Sequence, residues 1–237
     1  MRPVSRRAFL SASSASLAGL ATARISAAQL RRDRVLLNSN FSGPQAFFFV
    51  AQDRGYLKAA GLDVAYVEGD GAAAIVPRVG AEGFDFGYGD LNALVPLVSR
   101  GVEYRHHTPD LYGNALLVSR RVLAERPDDV KAFVRAVNHG LADTIANLDA
   151  AIDSVAARDP KVRKDVDTPR LAGTLAMEMA HPDGARLGIG DADDGRLARG
   201  IALIARSRGL PRVPRADEIF TRACLPPMAE RIKTLAR

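Results

Sequence analysis

Four groups of residues have types that could do chemistry, and each falls short of it. Asp85-Phe86-Gly87 has the form of a kinase magnesium motif. The chain has no His-Arg-Asp catalytic loop and no phosphate loop ending in Gly-Lys-Ser or Gly-Lys-Thr to go with it. Asp191-Ala192-Asp193-Asp194-Gly195 approaches a calcium loop. Its glycine arrives one place early, and the twelfth position is Ala202 where a glutamate should stand. A helix N-cap at Asp193 or Asp194 is the better reading. His106 and His107 are adjacent, so on an extended chain they point to opposite sides and read as a polar connector. Cys224 has no context that marks a nucleophile and reads as core. No Gly-x-Ser-x-Gly elbow exists from which a triad could be built. No catalytic, metal or cofactor site is expected.

The turns are more informative. Gly69-Asp70-Gly71-Ala72 and Gly87-Tyr88-Gly89-Asp90 place glycines between an apolar run and a helical one. Bare N–H groups there suit an anion or a polar acceptor. The competing reading is a pair of tight turns that need positive φ. Asn40, Ser42 and Gln45 at an earlier turn, with Asp90 and Asn92, add directional polar groups.

Three strand–helix units must position these turns. Residues 35–38 form a first apolar run. Pro44 opens a helix over 45–60 that stops at Gly61. Residues 62–67 alternate as a second strand, followed by a helix over 72–79. Residues 84–88 form a third strand, with Gly89-Asp90 turning into a helix over 91–99. Such alternation predicts a parallel sheet with helices on its faces, and ligands at its carboxyl edge. Residues 114–119 make a fourth strand. Beyond Pro127 the chain is helical, with Val130, Phe133, Val134, Val137 and Leu141 in one stripe, and helices over 148–158, 168–179 and 194–208.

The whole chain has 237 residues, 47% hydrophobic and 25% charged, which excludes a disordered tail, a fibre or a coiled-coil rod. A single cysteine excludes an internal disulfide framework. The net charge of +6 would suggest nucleic acid, but four of those cations are Arg2, Arg6, Arg7 and Arg24 in an acid-free leader. Ser5-Arg6-Arg7-Ala8-Phe9-Leu10 reads as a twin-arginine export signal. A serine-diluted apolar stretch and the small residues Ser26-Ala27-Ala28 complete it. Residues 1–28 are therefore expected to be a signal peptide, and 29–237 the exported protein.

With these residues assembled, the chain resembles the substrate-binding proteins of ABC transporters. It is most similar to the branch that takes nitrate, alkanesulfonates, taurine or thiamine-precursor pyrimidines. The resemblance rests on Ala51-Gln52-Asp53-Arg54-Gly55-Tyr56-Leu57, on Gly61-Leu62-Asp63-Val64, on residues 84–92 and on the return segment from Tyr112 to Ser119. It implies an α/β fold of the periplasmic-binding-protein type II kind, with a mostly parallel sheet, flanking helices and a helical C-terminal half. Members of that family have two lobes. Here only residues 101–111 lie between the first-lobe helix and the return strand, so a single lobe is expected, with the second absent at that point. The resemblance further implies a non-catalytic monomer in the periplasm, without cofactor or nucleic acid. Its partners would be a small-molecule ligand and an inner-membrane permease. The ligand contacts expected at the carboxyl edge of the strands are Asn40, Phe41, Ser42, Gln45, Gly71, Tyr88, Gly89, Asp90 and Asn92, with Asp90 favouring a ligand that carries a donor. The other readings are a truncated relic that binds nothing and a thiamine-pyrimidine biosynthetic enzyme of the same fold. For the latter, Cys224 is far from the turns. Replacing Arg6 and Arg7 together by lysine is expected to hold the protein in the cytoplasm, as cell fractionation would reveal. A double-lysine protein that still reaches the periplasm removes the twin-arginine reading.

Overall fold

A computed structural model describes residues 32–81, 83–99 and 112–235. The leader and the connector, with His106 and His107, lie outside these residues. Within them, β1 (Arg32–Leu36), β2 (Asp63–Val67), β3 (Phe86–Asp90) and β4 (Asn114–Val118) form one sheet in the order β2-β1-β3-β4. The first three strands are parallel and β4 runs antiparallel to β3, with Asp90 opposite Asn114.

The sheet is buried on both faces because its strands alternate apolar residues toward each. Val35, Leu37, Phe86 and Tyr88 face α1 (Ala46–Asp53), α6 (Pro127–Ala146), α7 (Leu148–Ala156) and α8 (Lys164–Glu178). Leu36, Leu117 and Phe84 face α3 (Ala72–Ala81). A third cluster joins α4 (Leu94–Ser99) to α10 (Asp194–Ser207) and α11 (Ala216–Ile219). The stripe read on α6 is where it was expected, with Val130, Phe133, Val137 and Leu141 buried and the Phe133 ring stacked 4.2 Å from Phe86.

Several boundaries differ from the sequence reading. The first strand, expected at 35–38, is Arg32–Leu36; the helix expected over 91–99 is a 3-10 turn (Leu91–Ala93) followed by α4; and α8 starts at Lys164, four residues before the expected 168. The helix expected over 45–60 is a 3-10 turn (Gly43–Gln45), then α1, then α2 (Tyr56–Ala59), because Gly55 takes φ +75° and turns the chain. Its end is as expected: Gly61, at φ +77°, and Leu62 donate to the carbonyls of Lys58 and Leu57, a Schellman closure. The third strand lies two residues later than read, so Gly89 and Asp90 belong to it and are not a turn. Between β4 and α6 the chain adds α5 (Arg120–Glu125), capped by the Ser119 hydroxyl, which accepts from the Val122 amide. A short α9 (Asp183–Leu187) precedes α10.

The Asp85 of the kinase-like tripeptide has a structural task. It is buried before β3 and accepts from the Arg34 amide (3.1 Å), from Arg121 (3.1 Å) and from Arg126 (3.0 Å). Arg126, just before α6, also bridges to Asp33 of β1 at 2.7 Å and to Asp129 at 3.3 Å. One guanidinium thus joins two strands to the helical half. Replacing Arg126 with alanine leaves two buried carboxylates short of their cation, and is expected to cost about 3–5 kcal/mol in urea unfolding. Asp33 behaves in the opposite sense. Burial holds its carboxyl above the usual range, although Arg126 pulls it down. Its protonated form is favoured by folding, so this contribution is full below the unfolded value and is lost as pH rises through the folded one. Asp33→Asn is expected to abolish that acid-side gain, measured as unfolding free energy against pH.

Candidate functional site

Because β1, β2 and β3 are parallel, the loops that follow them emerge at one edge. These loops are residues 37–42, 68–71 and 91–92, and the antiparallel β4 enters at the same edge through Tyr112 and Gly113. Backbone bonds stitch them together: Gly69 donates to Ser39 O at 3.3 Å and Leu91 to Gly113 O at 3.2 Å. The Phe41 amide donates to the Glu68 carboxylate at 3.0 Å.

The first loop is organised by Gln45, which is buried at its base with 1% exposure. Its Oε1 accepts from the Ser42 amide (3.1 Å) and the Ser42 hydroxyl (2.7 Å). Its Nε2 donates to Asn38 Oδ1 (2.6 Å) and Ser39 Oγ (2.5 Å). All four positions of that amide are filled from within the loop. Asn40 is exposed, and Phe41 is half-buried with its ring edge-on to Phe49 at 5.0 Å.

The third loop is organised by Asp90. Its Oδ1 accepts from the Asn92 amide (2.9 Å) and from Asn92 Nδ2 (2.7 Å). Asn92 Nδ2 also donates to the Tyr112 carbonyl. Tyr112, which the sequence reading passed over as a site residue, carries the network onward. Its hydroxyl accepts from the Asp193 amide at 2.7 Å, and the Arg196 guanidinium stacks 4.1 Å from its ring. Burial raises the Tyr112 phenol, so it stays protonated. Only the aromatic at the head of the return strand could have signalled this from sequence. Tyr88 packs with Phe47 and Phe48 in the core while reaching the cavity described below.

The glycines at this edge serve two purposes. Gly71 takes φ +140° with open space around it, as a turn residue should. Gly87 and Gly89 are not the turn residues that the sequence suggested, and neither takes a positive φ. They are strand residues on one face, and a Cβ on Gly89 would stand 2.6 Å from the Ala72 carbonyl and 3.0 Å from Ile75. They let α3 press on β3.

A cavity of about 1770 Å³ runs along β4 between the sheet and the C-terminal segments. Tyr88, Asp90 and Asn92 line it, whereas Asn40, Phe41, Ser42, Gln45, Gly71 and Gly89 lie outside its wall. The expected site residues therefore divide between two neighbouring surfaces. Cys224 sits in the core cluster, its thiol pushed up by burial, as the reading of a packed cysteine requires. Asp193 caps α10 by accepting from the Arg196 amide at 2.9 Å, and Asp191 is held by Arg222 and Arg231, each at 2.7 Å. The calcium-like run is thus spent on structure. No group of three or more His, Cys, Asp or Glu that could hold a metal occurs among the described residues. Among them too, no helix is long and apolar enough to cross a membrane.

Comparison with known proteins agrees with this architecture. Residues 44–104 and 100–151 match the family model described as NMT1/THI5 like. A stretch of 67 residues is 41% identical to the riboflavin-binding protein RibY of Chloroflexus aurantiacus, covering 27% of this chain and 19% of that protein. The match therefore spans about a fifth of the curated relative. The alkanesulfonate-binding protein SsuA from Xanthomonas axonopodis pv. citri, solved with MOPS bound, superposes with a TM-score of 0.56 at 11% identity, over 82% of this chain and 99% of that one. A protein of Bordetella bronchiseptica RB50 superposes at 0.52 and 11% identity, over 85% and 94%. The fold is that of the periplasmic binding proteins, and the resemblance to substrate-binding proteins holds. Replacing Gly89 with alanine is expected to push α3 off β3 at a cost of about 1–3 kcal/mol. An unchanged urea midpoint would mean that α3 does not bear on this strand.

Proposed function

We propose that the chain is the solute-binding component of an ABC import system for a small organic molecule or anion, and that it has no catalytic role. One observation carries this reading: three βα loops converge, with their polar side chains, on the carboxyl edge of the parallel strands β2, β1 and β3. Ligands of open α/β sheets sit at that edge. Similarity to RibY and SsuA supports a binding role, and makes riboflavin and sulfonates such as MOPS the first ligands to try. The ligand would contact Asn40, Phe41, Ser42, Gly71, Tyr88, Asp90 and Asn92, with Gln45 and Gly89 behind them.

The second lobe, in this reading, is absent between residues 101 and 111, and a leader over 1–28 sends the protein to the periplasm by the twin-arginine route. The permease at the inner membrane is its partner there, and the protein acts as a monomer. A two-lobed binder closes on its ligand by a hinge and excludes water. One lobe supplies half the contacts, so an affinity near millimolar follows. Isothermal titration of the mature protein with MOPS and riboflavin tests this. Asp90→Ala is expected to weaken measured binding about ten- to hundredfold, the worth of one charge-assisted hydrogen bond. Unchanged affinity would remove Asp90 from the site. No heat with any ligand of the panel would favour the truncated relic instead.

A further inference from the structure

The bonding inside the first and third loops decides which polar atoms they have left to offer. Gln45 spends its Nε2 on Asn38 Oδ1 and Ser39 Oγ, and so consumes acceptors of the first loop. The Ser39 hydroxyl proton goes to the Asn40 carbonyl at 3.1 Å. What Asn38 retains is its Nδ2 group, a pair of donors with no protein partner among the described residues, on a half-buried side chain. The third loop is the converse. Asn92 spends Nδ2 on Asp90 Oδ1 and on the Tyr112 carbonyl, and so retains Oδ1, an acceptor. β1 and β3 are neighbours in the sheet, so these two amides end adjacent strands.

We infer that Gln45 is a positioning residue that sets the polarity of the edge: it fixes Asn38 to present donors, while Asp90 and Tyr112 fix Asn92 to present an acceptor. This rests on the proposed site and sharpens its ligand class. The ligand carries an acceptor oxygen, carbonyl or oxyanion, toward the β1 end, and an N–H or O–H donor toward the β3 end. Gln45 itself touches no ligand. It acts because its own amide can satisfy Ser42 and Asn38 together in one orientation only: Oε1 must accept from the Ser42 amide, which cannot accept in return.

Gln45→Glu tests the orientation in the ligand-free protein. The carboxylate still accepts from Ser42 but cannot donate to Asn38. Asn38 must then turn its Nδ2 inward and its oxygen outward. Nitrogen-15 NMR of the Asn38 side chain reads this directly. Its amide protons are expected to exchange freely with water in wild type and at least tenfold more slowly in the variant. Protected Asn38 protons in wild type would overturn the inference. Asn38→Asp makes the same change at a half-exposed position, where folding does not hang on a buried charge. Oδ1 keeps the Gln45 bond and the outward donors become an oxygen. Titrated with methanesulfonate, an acceptor-only probe, Asn38→Asp is expected to lose at least tenfold in affinity relative to wild type, and with methylammonium to gain. Equal affinities of both proteins for both probes would overturn the ligand class. If neither probe moves any edge-loop resonance of wild type while Asn38 still exchanges freely, the proposed site fails, with its ligand class, and the orientation set by Gln45 stands.

Discussion

The rest of the molecule depends on how closely α6 lies on α1. At Gly140 a Cβ would stand 2.3 Å from the Phe47 carbonyl and 2.7 Å from the Ala51 side chain, so only glycine permits the contact. The approach brings the helical half down over the first strand–helix units. It explains why α1, residues 46–51, is buried all round: the sheet covers one side and α6 and α7 the other. A helix so enclosed cannot move without moving the sheet. Gln45 immediately precedes it, so the first loop is seated on the most constrained element of the fold.

Charge does at the amino edge of the sheet what packing does at its centre. Arg126 meets Asp33 and Asp85 where β1 and β3 begin, and its desolvation is offset by those short contacts and by Asp129. Tight packing over α1 and a buried ionic stitch below it leave the carboxyl edge as the end whose loops are free to differ. The ionic stitch thus lies at the opposite end of the strands from the proposed binding edge, the arrangement expected of a parallel sheet.

Much of the fold was legible because it is written in local period. Alternating apolar residues in 62–67 and the 3–4 spacing from Val130 to Leu141 produced elements where they were expected, and Gly61 ended its helix as a C′ residue should. The errors came where a glycine has more than one physical use. Gly55 is tolerated in a helix by propensity, yet here it supplies a positive φ that no periodicity signals. Gly87 and Gly89 looked like turn residues, but their spacing of two is that of one strand face, open for α3. The Arg126 cluster was invisible for another reason. Its partners lie 93 and 41 residues away, and no pattern in the chain pairs one charge among many with another.

Gln45 shows what burial asks of a polar residue. As a polar residue at the first turn it resembles a ligand contact, and at 1% exposure its amide is turned to its own loop. A buried amide must fill four hydrogen-bonding positions or lose stability for each one missed. Filling them from Asn38, Ser39 and Ser42 forces those three side chains into one arrangement. The cost of burying a polar group is thereby converted into order at the surface, where the loop would otherwise sample many conformers. Asp90 does the same for Asn92 and Tyr112 across the neighbouring strand. Preorganisation of this kind is what the edge would offer the ligand proposed above: its donors and acceptors are already aimed, so binding would spend little free energy in aiming them.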